Sequence, residues 1–549
     1  MKSFKLGLAA GVLTLGASLV AGAAEVPKLT PEEMKKASQI FFDRCAGCHG
    51  MLRKGATGPA LTPDITRQRG LQYLETIITN GTPGGMPDWG RQGILTKDEI
   101  KLLAKFLMHE PPEPPLMSLA EMKKWWKVYV PPEARPTKPE HNLNWKNFMG
   151  IILRDVGKVA IVDGDTKKLV SIVDTGFAVH IFRSSGTGRY FLTIGRDGKA
   201  TLIDLWLKKP DKVAEVKVCY DARSIDTSKY KGPRGDFMDK LAIVGCYWPP
   251  SFVLLDGQTL EPIKIVDTSD YTWDTNEYVR EARVASIVAS HHDPEWIVSN
   301  KEPGKVLIVN YEDPTNLKMH YIDAERFLHD GGWDMSKRYF LVAANMRNKV
   351  IVIDSVEKKY VAEIETGVKP HPGRGANFVH ARYGPVWCTG HLGSNNVACI
   401  GTDPINRSRY AWKLVANIEL PGPGGGTLFI KTHPESPHIW VDRPLSAEPK
   451  LQRELYVIDK DSLKVIKTIN VIEELKKKGY KNIDGRVVHP EFDMYGKEVW
   501  VSVWGRKDKP TALVVFDDRT MEIKEVITGD WVRTPTGIFN VYTTTNDIY

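Results

Sequence analysis

The sequence predicts two domains, a small all-α domain followed by an all-β eight-bladed β-propeller. Three observations carry this. Apolar residues recur at helical spacing before residue 110. A proline-rich stretch, Pro111-Pro112-Glu113-Pro114-Pro115 and then Pro131, Pro132, Pro136 and Pro139, separates that region from the rest of the chain. From about residue 145 one motif recurs eight times: an apolar run, an acid or amide (Gly401 in the sixth copy), a turn, then a second apolar strand. The copies start at Val159, Thr201, Val253, Val306, Val350, Val397, Leu455 and Leu513, spaced about 41 to 58 residues apart. Strand repeats of this period build propeller blades, with the acid capping each turn. A pair of β-sandwiches would not repeat one unit eight times.

The 549 residues exceed one ordinary core, and 42% hydrophobic content marks a globular chain. Residues 1–24 read as a secretory signal. Lys2 and Lys5 form the positive start, Leu6 to Val20 the apolar core, and Ala21-Gly22-Ala23 the cleavage region. The apolar run is short for a membrane anchor, and no later stretch could span a bilayer. Net charge is +8, or +6 without Lys2 and Lys5, with no basic block of the nucleic-acid-binding kind.

The domain expected over 25–113 is helical. Thr30-Pro31-Glu32-Glu33 supplies an N-cap, a first-turn proline and acids against the helix dipole. Leu71 to Ile78 and Lys97 to Met108 continue the pattern. Cys45-Ala46-Gly47-Cys48-His49 is the motif by which a c-type haem is attached: two thioethers and a histidine that reaches the iron. A redox dithiol or half a zinc site would leave His49 unexplained. This makes the first unit an all-α c-type cytochrome domain. Gly81 to Gly90 is too rich in Gly and Pro for a helix or strand and presents Met86. Met86 is therefore the expected sixth ligand, with Met51 and Met108 as rivals. A linker over 114–142, carrying a short helix from Leu119 to Trp126, leads to the propeller over 143–549. Of the other four cysteines, Cys388 and Cys399 flank a turn at Gly393-Ser394-Asn395. They could be bridged in an oxidising compartment or remain buried thiols.

Three histidines stand in unusual loops: His180 just past a strand, His329 before Asp330-Gly331-Gly332, and His371 in Pro370-His371-Pro372-Gly373-Arg374-Gly375. His329 and His371 come from adjacent repeats, so both could enter one channel from one side. Arg154, Arg183, Arg196, Arg223 and Arg374 lie in similar loops and together could bind several carboxylates. Singly, each of these residues is equally at home as an ordinary loop or surface group.

At these loops the sequence resembles the cytochrome cd1 nitrite reductases, dissimilatory NO-forming enzymes. The matching stretches are Asp174 to His180, Ile194 to Lys199, Tyr247-Trp248-Pro249-Pro250, Arg326 to Gly332, His371 to His380 and Thr534 to Tyr542. The resemblance implies one covalent haem c and one non-covalent haem d1. His180 would be the proximal d1 ligand, and His329 and His371 the distal pair that protonates nitrite near neutral pH. It implies d1 contacts from Arg154, Arg183, Arg196, Arg223, Tyr247, Arg374 and Trp504. It also implies a periplasmic homodimer fed by a small cytochrome c or cupredoxin, with oxygen reduction as a side activity. Some members place an N-terminal tyrosine by the d1 iron. Residues 25–44 contain none, so neither that ligand nor an exchanged arm carries over. The alternatives are a d1-biosynthesis dehydrogenase of similar architecture and a non-catalytic d1-binding cytochrome. The presence of both His329 and His371 favours the reductase.

Overall fold

A computed structural model describes residues 26–55, 58–82, 86, 88–91, 93–505 and 509–548. The expected signal segment and Pro83, Gly84, Gly85 and Pro87 of the Met86 loop lie outside the described residues.

The small domain is built from helices Pro31–Arg44, Ala46–His49, Pro63–Arg69, Leu71–Asn80 and Lys97–Leu107. Reciprocal capping boxes start the first and last of these, Thr30 with Glu33 and Thr96 with Glu99. Their apolar faces meet in a core that includes Phe41, Leu103 and Phe106, and Trp248 of the second domain packs against the same core.

The second domain is an eight-bladed β-propeller of four-stranded antiparallel sheets. Each of the eight sequence motifs forms the third strand of its blade, from Lys158–Asp163 in blade 1 to Ala512–Asp517 in blade 8. These strands are buried on both faces, which is why they read as unbroken apolar runs. The terminal acids cap the turns as expected: Asp354 accepts from Val356 and Glu357 N–H, and Asp517 from Arg519 and Thr520 N–H. The C-terminal strand Pro535–Asn540 pairs with Phe148–Leu153, so the two ends of the domain close blade 1 together. Inner strands of neighbouring blades pack side by side around the central channel. Indole N–H groups pin some blades together: Trp296 donates to Thr227 O and Trp333 to Ala289 O.

The segment between the domains is strapped down. Lys127–Val128 adds a fifth strand to blade 2, and Trp248 Nε1 donates to Pro115 O at 2.7 Å. Cys388 and Cys399 are bridged across paired strands, which decides between the two alternatives left open by the sequence. A second bridge, Cys219–Cys246, joins blade 3 to the loop before it and was not anticipated.

Candidate functional site: a haem-attachment motif over a cationic channel

The four other cysteines are bridged, whereas Cys45 and Cys48 remain thiols. Burial, with Cys48 beside it, pushes the Cys45 thiol up to about 12. His49 is buried, and its Nδ1–H donates to Pro59 O at 2.7 Å. A carbonyl can only accept, so this bond fixes the tautomer and leaves Nε2 as the lone pair for a metal. Burial holds its pKa below the ordinary value. Two unbridged thiols and one oriented imidazole fit a covalent haem. Met86 packs half-buried against the same core. Its backbone is pinned to Thr82: Thr82 N–H donates to Met86 O at 3.1 Å. Met51 and Met108 are fully buried in that core.

Each of the three channel histidines lies in or directly beside a register break, His180 and His329 within it and His371 at its edge, paired with Gly390. His180 lies at a bulge within the inner strand Val179–Ser184, not beyond a strand end; the register slips between Val179 and Ile181. His329 and Asp330 fall in a bulge between Leu328 and Gly331 of blade 5. In blade 6 the register breaks between His371 and Ala376. An unpaired residue at a bulge is released from the alternation of the strand and can be re-aimed.

Arg154, Arg196 and Arg223 gather around His180. Arg196 and Arg223 share the carboxylate of Asp221, each at 3.5 Å, and Arg154 contacts Asp155 at 3.1 Å. Burial first, then the charges of Arg223, Arg196, His329 and Arg154, hold His180 well below the ordinary histidine range. The result is a neutral imidazole exposed to the channel lumen. Nε of Arg196 is buried with no hydrogen-bond partner. Cations in excess of carboxylates, with a donor left over, fit a polyanionic macrocycle. The Tyr247 ring lies under Arg223 at 4.9 Å and Arg283 at 5.6 Å, and the Trp504 ring under Arg154 at 5.6 Å. Arg183 and Arg374 do not join this group. They lie in the channel near Lys431, and Arg374 Nη2 donates to Ile287 O at 3.2 Å.

His329 and His371 are brought together with ring centroids 5.2 Å apart. Asp330, to which sequence reasoning gave no role, ties them. Its carboxylate lies 2.8 Å from His329 Nδ1 and 3.6 Å from His371 Nδ1, and it accepts from Gly373 N–H at 2.5 Å. Burial opposes its charge. The two imidazoles and the Gly373 N–H nevertheless hold Asp330 well below the usual carboxylate range. His371 Nδ1–H donates to Leu428 O at 3.0 Å. Among the described residues, Nε2 of neither ring has a hydrogen-bond partner. The ligand atoms of all three side chains lie within 4.8 Å of one another, a spacing a metal ion could occupy. Nδ1 of both rings is committed as a donor, however, so the trio reads as a polar relay. Burial lowers His329 to about 4, below the near-neutral range expected from sequence. His489, also missed, occupies the matching bulge of blade 8 and stacks on Phe429 at 3.7 Å.

The two sites touch. Arg223 Nη2 donates to Gly47 O at 3.2 Å, and a Cβ at Gly47 would collide with the Arg196 guanidinium. Met51 and Leu52 N–H both donate to Glu281 Oε1, at 2.6 and 3.2 Å.

Residues 143–544 match the family described as Cytochrome D1 heme domain, and residues 32–107 match that described as Cytochrome C oxidase, cbb3-type, subunit III. The chain is 47% identical to a nitrite reductase of Stutzerimonas stutzeri, covering 100% of this chain and 99% of that one. It is 26% identical to a dihydro-heme d1 dehydrogenase of Pseudomonas aeruginosa, covering 98% and 97%. A solved dihydro-heme d1 dehydrogenase in complex with DHE shares the fold, with a TM-score of 0.69 at 23% identity over 93% of this chain and 100% of that one.

Proposed function

The chain belongs to the cytochrome cd1 nitrite reductases, and we propose from that premise that His329 and His371 deliver the two protons of its reaction. It is a nitrite reductase: nitrite, one electron and two protons give nitric oxide and water. When bound, haem c supplies the electron inlet, and haem d1 the iron at which nitrite is held and reduced. Cys45 and Cys48 would anchor haem c, with His49 and Met86 as its axial ligands. His180 would hold the d1 iron, and Arg154, Arg196, Arg223, Tyr247 and Trp504 would line the macrocycle. Arg183 and Arg374 would act further along the channel.

The observation that carries the proton assignment is the Asp330 carboxylate shared by the two imidazoles. With Nδ1 of each ring engaged, Nε2 is the atom left to hold a proton for the departing oxygen. His329, lowered to about 4 by burial, is neutral at pH 7. An anion about 4 Å away, at an effective dielectric near 20, contributes about 4 kcal/mol. That is about three pKa units, enough to bring His329 from about 4 to about 7. Nitrite would thus arrive together with its proton. Asp330 would keep each ring in the required tautomer and balance the new charge.

Purified holoprotein with a reduced donor should convert nitrite to nitric oxide at a catalytic rate. No turnover, together with a spectral change in an added dihydro-haem d1, would point to the dehydrogenase instead.

We also propose export to the periplasm with removal of residues 1–24. The basic start, the short apolar core and the two disulfides in an oxidising compartment support this. Among the described residues no helix is long and apolar enough to cross a membrane. Domain limits of 25–113 and 143–549 follow from the proline-rich linker between them; a homodimer, a small cytochrome c or cupredoxin as donor, and oxygen reduction as a side activity follow from the family resemblance.

A further inference from the structure

A cavity of about 420 Å³ lies between the small domain and the propeller. One wall is formed by Lys54, Gly55, Gly58, Ala60 and Pro59, the residue that orients His49. The other wall is formed by Lys301, Glu302, Phe327 and Met346 of blades 4 and 5. Lys54 is exposed at the rim. Lys301 is 3% exposed. It is the first residue after the second strand of blade 4, the place that Arg154 and Arg196 hold in blades 1 and 2. Its backbone is fixed on both sides: its N–H donates to Arg283 O at 2.9 Å, and its carbonyl accepts from Phe327 N–H at 2.7 Å. Among the described residues, its ammonium has neither a hydrogen bond nor an ion pair. The neighbouring acid supports its charge only at a distance, because Glu302 is engaged with Arg283 through a 3.3 Å ion pair and a 2.8 Å bond from Arg283 N–H. A buried cation without a partner is costly unless an anion completes it. Lys301 lines the cavity, and its charge is felt at His329, so the ammonium lies near the distal pair as well.

We propose that this cavity is the anion vestibule of the enzyme, in which the Lys301 ammonium holds nitrite on its way to His329 and His371. The inference rests on the reductase reading and adds a binding site to it. Burial lowers Lys301 only to about 8, so it carries its charge at neutral pH. Other small monovalent anions such as chloride would compete for the same position. A carboxylate of haem d1 could satisfy the same ammonium, and the test separates the two sources.

Holoenzyme would be prepared as wild type, Lys301→Met and Lys301→Arg, and compared for nitrite kinetics, d1-to-c haem ratio and chloride binding by calorimetry. Loss of a focusing cation should raise KM for nitrite about tenfold in Lys301→Met while kcat changes far less. Chloride affinity should fall by a similar factor, the haem ratio should hold, and Lys301→Arg should restore most of the binding. Unchanged KM and chloride affinity in Lys301→Met would overturn the vestibule. So would loss of d1 from that variant, which would assign the ammonium to the macrocycle. Chloride calorimetry needs no turnover, so it decides the vestibule even if the protein fails as a reductase.

Discussion

Replacing Asp330 with asparagine keeps the shape of the side chain and removes its charge. In the native protein the carboxylate takes a charge-assisted bond from His329 at 2.8 Å and faces His371 at 3.6 Å. A hydrogen bond to a charged group contributes about 1.5–3 kcal/mol, and one between neutral groups about 0.5–1.5. The difference at His329, with the weaker field at His371, comes to about 2 kcal/mol lost from the protonated pair. That corresponds to roughly a thirtyfold fall in kcat/KM for nitrite. The sign of the pH effect comes from the same loss. Asp330 raises His329 against burial, so its removal lowers the imidazole further. The limb on which activity falls with rising pH should therefore move down by about 1.5 pH units. Nitric oxide production with a reduced donor, measured from pH 5 to 8, reads both quantities, and the spectra of the two haems serve as the folding control. A variant with native rates and a native pH profile, both haems intact, would refute the relay.

Three further outcomes are expected. His180→Ala should purify with haem c and little or no haem d1, read from the ratio of the two absorption spectra. Met86→Ala should lower the haem c potential and slow electron entry while leaving d1 bound, because a thioether ligand raises the potential; redox titration measures it. Cys219→Ser opens a bridge between residues 27 apart and should cost about 3.5 kcal/mol of stability by loop entropy, seen as an earlier denaturant midpoint.

The propeller was legible because its third strands are packed on both faces and end in an acid that caps a turn. Runs such as Val350 to Asp354 announce themselves through composition alone. The inner strands were not legible. They line a polar channel and are broken by bulges at His180, at His329 and Asp330, and beyond His371, so neither alternation nor an apolar run survives. The histidines stood out only as residue types flanked by glycine. Asp330 adjoins His329 in the sequence, yet its role depends on His371 one blade away, a contact that only ring closure creates. Lys301 gave no signal, since what distinguishes it is a missing partner. His329 was expected to titrate near neutrality because sequence does not report burial. The cysteine bridge at 219 and 246 was missed because a loop and a strand, not a hairpin, bring those residues together.

The contact at Gly47 carries one more consequence. The two positions between haem-binding cysteines are ordinarily spacers, free to vary so long as their number is kept. Here the second spacer is pressed against Arg196 and bonded by Arg223, the two guanidiniums that share Asp221 and depress the basicity of His180. Adding a single methyl group at residue 47 would displace the Arg196 guanidinium and change the electric field at His180 in the other domain. The two prosthetic groups are thus not modular parts joined by a tether. The tolerance of one attachment motif to change is set by the charge balance of its neighbour.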